Sequence, residues 1–191
     1  MRNLVKRAAR LLLGDYQLNR IYTIDLANLT PSDAPPRLDA NQRLTTLEEK
    51  DFDSAPDERM RKRRWYGGAN AYGFGLWEQD LLVCMCWCWD YRRRAGKVWT
   101  LEQDEAALVD IITAESHRGR GLAPIVIQFA TEHLRDRGFR RVYAWVWHNH
   151  RSSMRSFEKS GWQHVALVAE VELFGWKHLR FARHTRRPGR A

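Results

Sequence analysis

Hydrophobic positions along this chain switch between two spacings. Residues 106–113 (Ala-Ala-Leu-Val-Asp-Ile-Ile-Thr) are apolar almost throughout and rich in β-branched side chains, the pattern of a strand covered on both faces. Beyond two glycines the spacing lengthens, and Ile125, Val126, Phe129, Ala130, His133 and Leu134 recur at helical intervals. Arg135-Asp136-Arg137-Gly138 then closes the segment with basic residues and a glycine suited to a helix C-terminus. The segment reads strand, glycine turn, helix. Residues 142–147 (Val-Tyr-Ala-Trp-Val-Trp) return to an apolar, aromatic strand, 148–153 form a polar turn, and a short helix over 154–160 ends at Gly161-Trp162.

The flanking regions are read in the same way. Residues 20–27 predict a first strand, and 30–41, with Pro31, Pro35 and Pro36, predict a loop that cannot pair in a sheet. Residues 44–50 and 57–65 read as short helices split by Ser54-Ala55-Pro56. Residues 70–77 and 81–89 flank Glu78-Gln79-Asp80 as the arms of a hairpin. Gly73 and Gly75 weaken the first arm or admit a ligand, and weakening is the expectation. A closing hairpin is expected from 165–173 and 176–183 around Phe174-Gly175. Residues 1–13 place Leu4, Val5, Ala8, Leu11 and Leu12 opposite Arg2, Lys6, Arg7 and Arg10, a basic amphipathic helix. Packing on the body of the domain or on a partner is its preferred reading, with attachment to an anionic membrane surface as the alternative. The expected organisation is an N-terminal helix within 1–19, one domain over 20–183 and a disordered basic tail over 184–191.

Composition narrows the class. A chain of 191 residues suits one domain with its own core. It contains no apolar run long enough to span a bilayer and no leader-like start, so a cytoplasmic protein is expected. Cys84, Cys86 and Cys88 alternate within residues 81–89, which puts three sulfurs on one strand face. They predict buried, reduced thiols rather than a metal site, with Met85, Trp87 and Trp89 packing a second layer. The net charge of +9 and the runs Arg61-Lys62-Arg63-Arg64 and Arg92-Arg93-Arg94 invite a nucleic-acid reading. These runs are scattered, however, and most of the nine tryptophans alternate within strands, so core packing is preferred over base stacking and no nucleic-acid partner is expected.

The glycine turn carries the chemistry. Arg118-Gly119-Arg120-Gly121 follows the buried strand and opens the helix, so uncrowded backbone N–H groups and two cations converge on a helix N-terminus able to hold a phosphate. With Leu122 and Ala123, this segment resembles the Arg/Gln-x-x-Gly-x-Gly/Ala signature of the GNAT N-acetyltransferase superfamily. Phe157-Glu158-Lys159-Ser160-Gly161-Trp162 resembles that family's second motif. Counting back from Gly161 puts His150 where the family has asparagine, whereas Asn149-His150-Arg151-Ser152 matches Asn-x-x-Ser one residue earlier. Phe157 stands where many members carry the tyrosine that protonates the departing thiolate. The resemblance covers residues 105–168.

The resemblance implies an α/β GNAT fold, a mixed central sheet of about six or seven strands with helices on both faces, and acetyl-CoA as co-substrate. It implies two parallel strands that splay apart to admit the pantetheine arm. Ile111, Ile112 and Thr113 would line that arm, and Arg118, Gly119, Arg120, Gly121, Leu122 and Ala123 would hold the pyrophosphate. Asn149, Ser153 and Phe157 would complete the coenzyme site. Direct transfer of an acetyl group to a primary amine needs a base to take a proton from the arriving ammonium. Glu105 and Asp110 are the candidates, and strict alternation puts them on opposite faces; His150 and Ser153 are placed to assist thiolate departure, although helix capping by Ser153 is the plainer reading. Two alternatives stay open: transfer of a longer acyl chain to an amino acid, amino sugar or lipid head group, and an acyl-CoA-binding module without turnover. The expected partner is a small-molecule amine, and exposed strand edges leave a homodimer open.

Overall fold

The computed structural model describes residues 13–29, 37–93, 100–173 and 177–184. Eight strands form one mixed sheet: β1 (Leu13–Asp25), β2 (Gln42–Thr46), β3 (Ala71–Glu78), β4 (Leu81–Asp90), β5 (Glu105–Thr113), β6 (Arg141–Trp147), β7 (Gln163–Leu173) and β8 (Lys177–His184). Their spatial order is β2-β3-β4-β5-β6-β1-β7-β8, antiparallel throughout except for the central β5–β6 pair. Among the described residues, three α-helices accompany them: α1 (Glu58–Arg61), α2 (Leu122–Asp136) and α3 (Arg151–Lys159). Short 3-10 turns cover Glu49–Ser54, Lys62–Tyr66 and Glu115–His117.

Two layers pack on the sheet. Helix α2 buries Leu122, Val126, Ile127, Ala130 and Leu134 against Phe74, Val83, Leu108 and the three cysteines, and α3 adds Phe157. On the other face, Phe52 and Met60 from the helical segments cover Met85, Trp87 and Ala114. The alternation read for residues 84–89 is therefore real, with sulfurs facing α2 and Met85 and Trp87 facing the opposite layer. Phe52 stacks on Trp87 at 5.7 Å between ring centroids, 6° from parallel.

Several expectations change. The sheet has eight strands rather than six or seven, in part because residues 44–46, read as the start of a helix, belong to β2 and pair with β3. The first strand starts at Leu13, so residues 13–19, assigned to an N-terminal helix outside the domain, pair with β7 and, at Asn19, with β6. Residues 1–12, most of the proline loop, Arg94, the turn at Phe174-Gly175 and residues 185–191 lie outside the described residues. Helix α3 begins at Arg151, three residues before the predicted start. Gly73 and Gly75 lie against side chains of the core. A Cβ on Gly73 would stand 2.6 Å from the Trp87 ring and one on Gly75 2.6 Å from Leu47, so the two glycines make room for core side chains. Among the described residues, no helix is long and apolar enough to cross a membrane.

Candidate active site

The site is built where β5 and β6 part. Their parallel pairing runs from Glu105↔Arg141 to Leu108↔Ala144 and stops there. Beyond it, among the described residues, β5 remains bonded only to β4, through Cys84↔Thr113, and β6 only to β1, through Asn19↔Trp147. Two strand edges thus face each other with main-chain donors and acceptors unpaired, the state a polar, extended ligand can satisfy.

A bulge coincides with the split. On β4 the neighbours Trp87 and Cys88 face Asp110 and Leu108, so Val109 is an extra residue in β5. The insertion overturns the alternation argument: Asp110 shares the face of Trp87, which is also the face of Ala107, Tyr143 and Glu105. Glu105 and Asp110 therefore lie on the same face, at opposite ends of the strand.

Their surroundings differ. Glu105 is buried at the closed end, where Oε1 accepts from the Tyr143 hydroxyl at 3.2 Å and Oε2 from the Glu102 amide at 3.0 Å. Arg140 and Arg141 approach it at 3.6 and 3.7 Å. Asp110 sits at the open end, its side chain 16% exposed, and Oδ2 accepts from Arg63 Nε at 3.2 Å. Burial pushes the Asp110 carboxyl above the usual aspartate range, and the Arg63 guanidinium pulls part of the way back.

The candidate phosphate cradle follows β5 directly. After the Glu115–His117 turn, Gly119 and Gly121 both adopt φ of +79°, a left-handed conformation that crowds any other residue, and a Cβ on either would meet nothing within 4 Å. Gly121 is the N-cap of α2 and provides no side-chain cap; Pro124, third in the helix, has no N–H, so the first-turn donors are the Leu122 and Ala123 amides. Arg118 is half exposed, with only a long 3.8 Å approach to Glu115. Arg120 is committed elsewhere: its two terminal nitrogens donate to Glu78 at 2.7 and 3.3 Å. Glu78 also accepts from Gln42 at 3.1 Å, lies 3.4 Å from His117, and is held down to about 2 by the Arg120 and Gln42 bonds. Glu78 escaped the sequence reading because it stands at a hairpin end with no local sign of a partner 42 residues away. Donor amides, unpaired strand edges and the half-exposed Arg118 suit a pantetheine diphosphate, so the residues present fit acetyl-CoA.

Leu122 is buried beneath this turn and Ala123 partly so; Ile111 faces the α2 layer, Ile112 the opposite one, and Thr113 Oγ1 lies 3.2 Å from Cys84 Sγ. At the second motif, Asn149 is exposed in the turn and His150 is the N-cap of α3, with Nδ1 3.0 Å from Ser153 Oγ. Phe157 is buried between Tyr22 and Trp162, at centroid distances of 5.9 and 4.9 Å, so it supports the floor of the site rather than its surface. The Tyr22 hydroxyl donates to Glu158 at 2.9 Å and, desolvated, has its pKa raised to about 12.

The basic run that invited phosphate contacts is engaged inside the domain. Arg61 donates to the Ala55 carbonyl, Lys62 pairs with Glu58, Arg63 with Asp110 and Arg64 with Asp53.

The described residues thus form a mixed sheet split between two parallel strands, followed by a helix N-terminus with left-handed glycines. The chain belongs to the acetyltransferase (GNAT) family, whose profile matches residues 41–162. Solved structures agree on the fold. A GNAT-family acetyltransferase from Colwellia psychrerythraea superposes with a TM-score of 0.59 at 17% identity, over 89% of this chain and 62% of that one. A tandem GNAT protein from the clavulanic acid biosynthesis pathway gives 0.58 at 14% identity, over 98% and 59%. The ribosomal-protein-S18-alanine N-acetyltransferase of Escherichia coli gives 0.52 at 15% identity, over 66% and 80%. The chain thus spans 62% and 59% of the length of the first two. A sequence search of curated proteins finds no match.

Proposed function

We propose that the protein transfers an acetyl group from acetyl-CoA directly to a primary amine, with Asp110 as general base. The observation that carries this reading is the split between β5 and β6 ending above the uncapped N-terminus of α2. The coenzyme supplies an activated thioester. Amides of the Gly119–Gly121 turn and Arg118 hold its diphosphate, and the unpaired edges of residues 109–113 and 145–147 take the pantetheine. Asp110 accepts one proton from the acceptor's ammonium, leaving a neutral amine to form the C–N bond as the C–S bond breaks. The second proton lost by nitrogen ends on the departing sulfur. His150, at the N-cap of α3, is the proposed relay for that step in place of the missing tyrosine. Glu105 instead completes a buried network at the far end of the strand.

A second reading, acyl-CoA binding without turnover, is favoured by one observation: the family tyrosine is replaced by the buried Phe157. Calorimetric titration with acetyl-CoA and longer acyl-CoAs, for the protein and Arg118→Ala, tests the cradle. Thiol release against a panel of amines tests transfer. Micromolar binding weakened in the variant, with thiol release for one amine class, is the expected result. Binding without release against any amine would establish the second reading, and no binding to any acyl-CoA would overturn both.

A further inference from the structure

We infer that Arg63 is the positioning residue of the acceptor site: its guanidinium keeps the Asp110 carboxylate ionised and aimed into the cleft until the acceptor's ammonium takes its place. The inference rests on the reading of Asp110 as base. Asp110 lies on a bulge at the open end of β5, and among the described residues Arg63 is the one basic side chain paired with it. A carboxylate this deep, with one cationic partner, loses its compensating charge when that partner is removed.

The pairing is built to be exchangeable. Arg63 reaches Asp110 with Nε alone, while Nη1 donates to the Arg59 carbonyl at 3.0 Å within its own helical segment. Breaking the ion pair therefore costs one hydrogen bond and leaves the guanidinium anchored. Arg63 is also one-third exposed, against 16% for Asp110, so the cation is the more solvent-accessible member of the pair. An arriving ammonium replaces the guanidinium with an equal charge, and Asp110 is never left buried and unpaired. The other titratable groups acting on this carboxylate are Tyr66, from the same 3-10 turn as Arg63, and Cys86 of β4; burial pushes the pKa of both up, and neither can replace the cation.

The test is a titration of the carboxyl carbons by NMR in protein carrying carbon-13 aspartate. It is run on the wild type, Arg63→Lys and Arg63→Met, with Asp110→Asn assigning the signal; it requires no acceptor. Arg63→Met is expected to raise the Asp110 midpoint by about 1–3 pH units, and Arg63→Lys to return it most of the way. The acidic limb of kcat/KM with acetyl-CoA and the responding amine is expected to move with it, which a purely structural role for Arg63 would not cause. An unmoved midpoint in Arg63→Met overturns the inference, even where Asp110→Asn abolishes activity and so upholds the base. Full activity in Asp110→Asn overturns the base reading, and this inference with it.

Discussion

Two carboxylates on one strand show how far a residue's environment decides its use. Glu105 and Asp110 both fit the chemistry in the linear sequence, yet one closes a network with two arginines and a tyrosine while the other, at the open end of the strand, pairs with Arg63. Asp110→Asn is expected to lower kcat/KM by about 100-fold or more while the melting temperature holds, as measured by thiol release and circular dichroism. Glu105→Ala is expected to cost about 1–3 kcal/mol in urea unfolding, because it removes the buried acceptor of the Tyr143 hydroxyl and the Glu102 amide and one of the two carboxylates that face the buried Arg141, with kcat per folded molecule unchanged. The assignment of faces was not legible in the sequence: alternation is a local rule, and the extra Val109 that breaks it exists only because β4 pairs as it does. The same holds for Gly73, whose need for hydrogen in place of a methyl group is set by Trp87 on the next strand. Since that indole is itself stacked on Phe52, Gly73→Ala is expected to destabilise by about 1–3 kcal/mol in the same unfolding assay.

The elements that form the cradle were legible where they depend on neighbours in sequence. The buried strand, the glycine turn and α2 are encoded by contiguous residues, and all stand where the hydrophobic spacing predicts. Strand β2 was missed because five residues at a sheet edge carry little period; Thr45 is fixed there by a bond from Trp77 Nε1 at 2.8 Å, a partner 32 residues away. Glu78 ties these elements together, joining β2 through Gln42 to the cradle through Arg120. Its pKa is depressed from 4.5 to about 2. For a depressed carboxylate the tie is present above the unfolded pKa and is lost as pH falls through the folded one. The cradle is therefore expected to stay tied from neutral pH down to about 4–5, and to loosen as pH falls towards 2. Glu78→Gln is expected to weaken acetyl-CoA binding at pH 7 and to do so equally at pH 5, as read by calorimetry.

At the scale of the whole molecule, the shortest pairing among the described strands is at the split, where β5 and β6 pair over four positions. A ligand bridging the two edges completes the sheet and acts as a fastener between its halves. Acetyl-CoA at 100 times its dissociation constant is expected to stabilise the fold by about 2.7 kcal/mol, a rise of roughly 5–10 °C in melting temperature by scanning fluorimetry. Arg118→Ala should shrink that rise while leaving the melting temperature of the free protein in place.

The stripe of thiols beneath α2 has a practical corollary. Cys84, Cys86 and Cys88 are all fully buried, and desolvation drives the Cys84 thiol up to about 12, so none of the three sulfurs is within reach of a reagent in the folded protein. The folded protein is silent to thiol reagents, so a disulfide dye in a turnover assay reports only the sulfur liberated from the coenzyme. Conversely, the slow labelling of three cysteines becomes a clock for opening of the sheet core. That clock is expected to slow when acetyl-CoA spans the split, and mass spectrometry after timed alkylation would read both rates from one sample.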